Sequence, residues 1–170
     1  VAAMAGLVAF GAAGGWMAAQ LQRPAAAGDG FAAEALRSHA TFVVETAHPV
    51  EVPASDEAHL VRWLSNRLGH RITPPDLQAQ GFQLIGGRIV PGASGAAAML
   101  MYEDDIGRRL TVFVARAPDA AETAFRSAVT GATRGFWWIE GGLGCAVIGD
   151  LPPEILRAIS VTAYHDLIGI

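Results

Sequence analysis

The sequence contains no lysine: all 12 of its basic residues are arginine, set against 16 acidic ones, for a net charge of −4. A surface that neutralises phosphates needs a dense basic stripe, and none is present, so nucleic acid is excluded as a partner. Cysteine is nearly absent too. The single Cys145 cannot form an intramolecular disulfide, and it cannot build a thiolate zinc site within one chain. Charge itself is missing from Val1 to Ala19. The chain is 52% hydrophobic, above the usual 45–50% or so, and much of the excess is alanine in that opening stretch.

About 20 apolar residues at roughly 1.5 Å per residue cross a bilayer core, and residues 1–22 reach that length. Gly6, Gly11, Gly14 and Gly15 are more at home in a membrane helix than in a soluble one. Trp16 lies toward the polar end, where Gln20, Gln22 and Arg23 follow. A transmembrane helix over 1–22 is therefore expected. The competing reading is a signal peptide cleaved in "AAAG" at Ala25–Gly28, although no positive charge precedes the run. Residues 23–30, "RPAAAGDG", read as a linker, and residues 31–170 are long enough for one core-forming domain.

Within that domain, Phe31, Ala35, Phe42 and Val43 predict a helix over 31–45, with Glu34, Arg37 and Ser38 toward water. Residues 46–56 read as extended. Leu60, Val61, Leu64 and Leu68 predict a second helix over 57–69, started by Ser55 or Asp56 and stopped by Gly69. Residues 82–90 read as a hairpin turning at Gly86-Gly87. A second hairpin is expected over 97–115, turning at Asp104, Asp105 and Gly107. A short helix follows near 119–129, then two strands over 135–150 around Gly141-Gly142. A closing helix starts after Asp150. The fold class expected is α+β: an antiparallel β-meander with helices packed on one face.

No catalytic constellation emerges. Ser94 in "PGASG" lies between two hairpins, away from any strand-to-helix elbow. Cys145 sits in an apolar strand without a neighbouring cation, the setting of an inert thiol. His39, His48, His59, His70 and His165 show no i, i+4 pair and read as surface or capping residues. Glu103, Asp104 and Asp105 suit a solvated hairpin tip, and an exported enzyme built on Glu103 or Asp105 is the least favoured reading. Accordingly no catalytic, cofactor or metal residue is assigned. Alternation places Phe136 and Trp138 on one strand face and Trp137 on the other. Core packing is favoured for both tryptophans, and an exposed Trp137 or Trp138 would be the candidate interaction surface.

Three stretches carry a family resemblance: G-F-x-L-x-G-G-R at Gly81–Arg88, "MYED" to "RLTVFV" at 101–114, and W-x-E-G-G-x-G-x-A-V-x-G from Trp138 to Gly149. In that order, behind a membrane-length apolar run, the chain resembles the bacterial transmembrane anti-sigma factors. It is most similar to the predicted transmembrane transcriptional regulators among them. The resemblance implies a cytoplasmic domain, often with a His/Cys zinc motif, that holds a sigma factor away from RNA polymerase. It further implies one inner-membrane helix and an extracytoplasmic, periplasmic domain that senses stress or is cut by a regulatory protease. On this expectation the sequence starts inside the membrane helix. The sigma factor would be held by a domain outside it, and no sigma-contacting or zinc-binding residue carries over. The opening glycines and the apolar strand faces would suit a homodimer. The alternative from a different class is an exported binding domain for a small ligand or a protein, with a cleaved signal peptide.

Overall fold

A computed structural model describes residues 27–168. The transmembrane helix expected over 1–22 lies outside the described residues. Among the described residues no helix is long and apolar enough to cross a membrane.

The first helix, α1, runs Ala27–Phe42. Its first turn therefore occupies the end of the expected linker 23–30. Gly28 and Gly30 each cost about 1 kcal/mol in a helix relative to alanine. Burial of Phe31, Ala32 and Ala35 against the sheet offsets that cost and extends the helix toward its N-terminus.

Seven antiparallel strands form one sheet: β1 (Val52–Pro53), β2 (Gln83–Gly92), β3 (Gly95–Glu103), β4 (Arg109–Arg116), β5 (Thr123–Thr130), β6 (Thr133–Glu140) and β7 (Leu143–Gly149). Helix α2 (Glu57–Leu68) lies between β1 and β2, and α3 (Pro153–Ile168) closes the chain. The strand order is β1-β2-β3-β4-β7-β6-β5, so the sheet is not a simple meander. After β4 the chain crosses to the far edge and returns through β5 and β6. The crossing at 117–122 wraps the β6–β7 turn: the Ala117 N–H donates to the Gly142 carbonyl (2.8 Å), and the Gly141 N–H to Glu122 Oε1 (3.4 Å). This order places the fully buried β7 beside the largely buried β4 at the centre, and the polar β5 at the edge.

Two expected elements are corrected. The hairpin expected over 82–90 does not turn at Gly86-Gly87; residues 83–90 belong to the single strand β2, with a bulge between Leu84 and Gly86. The glycine pair serves a close approach, because β1 pairs with it through Val52–Gly87 and Pro53–Gly86. A Cβ on Gly86 would run into the Val52 carbonyl oxygen and lie 2.9 Å from Pro53 Cα. The true turn is at Ala93 and Ser94. Likewise, the short helix expected near 119–129 is strand β5, joined to β6 through Gly131 at φ +61°. There, pairing with β6 overrides the helical propensity of the alanines.

The helices are also not on one face. Leu60, Leu64 and Leu68 of α2 and Leu156, Ile159 and Ala163 of α3 share a core with Leu100, Val112, Trp138 and Val147. Phe31, Ala32 and Ala35 of α1 pack on the opposite face with Met99, Phe113, Trp137 and Ala146. The central strands are apolar on both faces, and each face requires cover. The second helix and the β3–β4 hairpin lie where the sequence predicts, and Gly69 ends α2 in a left-handed conformation (φ +64°).

Candidate functional site

The two faces are covered unequally. Two helices cover one, whereas among the described residues α1 alone covers the other. Its seat combines aromatic rings with a glycine that leaves room for one of them. The Phe31 ring packs edge-on to Phe113 (5.6 Å between centroids) and against Trp137 (6.2 Å). Gly144 of β7 makes room for it, since a Cβ there would lie 2.6 Å from the Phe31 ring.

The C-terminal end of α1 is held by two arginines from the sheet. Arg109 donates to the Val43 carbonyl (3.1 Å) and the Glu45 carbonyl (2.6 Å), and pairs with Glu103 (2.6 Å). It thereby anchors the turn that follows α1 to the sheet. The Arg88 guanidinium stacks 3.7 Å above the Phe42 ring. Between these points His39 is buried, its Nδ1 2.9 Å from Thr111 Oγ1 on β4. Burial lowers the imidazole pKa from 6.5 to about 4, against a smaller opposing effect of Asp150.

Because α1 is narrow and the sheet wide, open space remains beside it. A cavity of about 740 Å³ lies between α1 and β5. Ala32, Ala33, Leu36 and Ala40 form one wall, and Ala128 and the β5 backbone form the other. Trp137 closes one side, and Arg37 and Arg126 contribute the charged groups. The volume falls within the range of about 300–1,000 Å³ typical of small-molecule sites. A second cavity of about 520 Å³ flanks the N-terminal half of α1, near Ser94 and Arg116.

The residues singled out from sequence fall in several places. Trp137 and Trp138 do not form an exposed surface: they are 3% and 1% exposed, because both sheet faces are core. Trp137 nevertheless lines the cavity, while Trp138 stacks on Phe125 (4.9 Å) beneath α3. Ser94 is exposed at the β2–β3 turn. Cys145 is fully buried, and burial pushes its thiol up to about 12, with a further contribution from Glu140. Asp104 accepts from the Ile106 and Arg108 N–H groups and the Arg108 side chain, which is turn chemistry. Among the histidines His39 departs from its expected surface or capping role; it is a core residue, because α1 presents it to the sheet.

Arg37 and Arg126 were not legible as a pair. Reading 119–129 as a helix concealed the register that sets Arg126 opposite Trp137. Among the described residues no three His, Cys, Asp or Glu side chains come together as metal ligands. What the α1 face provides is an open cavity beside a single helix among the described residues. No family model and no curated protein matches the chain.

Proposed function

We propose that this chain is the extracytoplasmic regulatory part, with its membrane helix, of a single-pass bacterial transmembrane anti-sigma factor, and that α1 is its moving element. One observation carries the reading: α1 begins at Ala27, separated from Arg23-Pro24 by two residues and shortly after the apolar run, and among the described residues it is the one helix over its sheet face. A change in the seat of α1 is thereby coupled to the juxtamembrane residues 23–30. Undocking α1 exposes those residues to a regulatory protease, or reorients the membrane helix, and the sigma factor is released. The family resemblance of the three quoted stretches supports the same assignment. In cells carrying the intact protein, deletion of residues 31–170 is expected to abolish stress-dependent release of the sigma factor. Release that still follows stress in the deletion strain overturns the regulatory role.

The cavity favours a second reading, an exported small-ligand-binding domain. N-terminal sequencing of the mature protein separates the two. Cleavage near Ala27 supports export, and retention of the opening run in membranes supports the tether.

A further inference from the structure

The cavity between α1 and β5 combines two properties that together define a ligand class. Its walls are aliphatic, made by Ala32 and Leu36 on one side and Ala128 on the other, with the Trp137 ring beside them. Its charged lining is all of one sign, Arg37 and Arg126. Neither arginine forms a salt bridge among the described residues. The neighbouring carboxylates accept from backbone: Glu34, which borders the second cavity together with Arg37, accepts from the Ala93 N–H (3.2 Å), and Glu122 from the Gly141 N–H. The Arg126 guanidinium lies 5.8 Å from the Trp137 ring centroid, so the positive charge is held next to apolar surface.

We propose that this cavity binds a single-chain aliphatic carboxylate, its chain between α1 and β5 and its head on the arginines. The ligand class concerns the same face as the regulatory reading and rests on it for its physiological meaning. Binding, however, is measured on the protein and release in cells. Release that still follows stress in the deletion strain refutes the regulatory role alone, and an absence of octanoate binding refutes this proposal alone.

The test is calorimetric titration of the full chain in zwitterionic micelles, with micelles alone subtracted. The probes are octanoate, 1-octanol, octyltrimethylammonium and the two-chain dihexanoylphosphatidylglycerol. Octanoate is expected to bind saturably at one site and more tightly than the other three. Arg37→Gln and Arg126→Gln, at exposed side chains, should each weaken octanoate about tenfold and leave 1-octanol unchanged, as loss of a charge-assisted contact implies. Ala128→Phe, which fills the cavity, should abolish binding; the two arginine variants decide the matter if that variant fails to fold. No octanoate binding, equal binding of 1-octanol, tighter binding of the phospholipid, or indifference to both arginine substitutions overturns the proposal.

Discussion

At the scale of single residues, the α1 face is tuned by groups whose roles come from their surroundings. His39 is the clearest. Its folded pKa of about 4 lies below the 6.5 of an unburied imidazole, so between these values the unfolded chain binds more protons than the folded one. Stability contributed by the neutral ring is fully present above pH 6.5 and is lost as pH falls toward 4. The magnitude is about 3 kcal/mol. Denaturant titrations from pH 7.5 to 4 should show this loss in the natural protein, and a smaller one in His39→Leu. Equal slopes in the two proteins place the pH sensitivity elsewhere. Periodicity marks position 39 as helical but does not say that this helix turns it toward Thr111, which lies 72 positions away. Only the register of α1 on the sheet decides that the residue is core.

At the scale of elements, the sequence separates well where a local signal is unambiguous. The leucine stripe of α2 and the Asp104–Gly107 turn are such cases, and both form where predicted. Gly86-Gly87 and residues 119–129 went the other way because their signals have two physical meanings. A glycine pair permits a tight turn, and it equally permits another backbone to lie against it. Gly86, at φ +151° and paired with Pro53 so closely that a Cβ would run into the Val52 carbonyl, has the second role. Gly86→Ala should therefore cost about 3 kcal/mol and detach β1, while Gly107→Ala, where a Cβ has open space, should cost only backbone strain of about 1–2 kcal/mol. Thermal unfolding of both variants, with amide exchange at Glu51 and Ile89, checks this. Comparable losses with β1 still paired would show that the close approach is not what Gly86 provides.

At the scale of the whole molecule, one sheet separates two cores of unequal cover. Among the described residues the α2–α3 face joins two helices to the central strands, and the α1 face has one helix flanked by cavities. Local opening draws on the smaller set of buried contacts. Native-state hydrogen exchange should find α1 opening at a lower free energy than α3 or β7. Phe31→Ala should lower it further by about 3 kcal/mol, with the α2–α3 face unchanged. If α1 exchanges only through global unfolding, it is not a separable element, and the undocking step of the proposed mechanism fails with it.

By itself the sequence determined which stretches are apolar, where α2 and α3 form, the β3–β4 and β6–β7 hairpins, and the absence of a basic footprint. These are local quantities, set by composition, periodicity and turn chemistry over a few residues. Tertiary structure alone decided that the chain after β4 crosses to the far edge, that helices cover both faces, and that Arg37 and Arg126 line one cavity. Each of these depends on which strand lies beside which. That order is selected by burying the most apolar strands at the centre of the sheet, a sum over the whole chain that no short window of sequence contains.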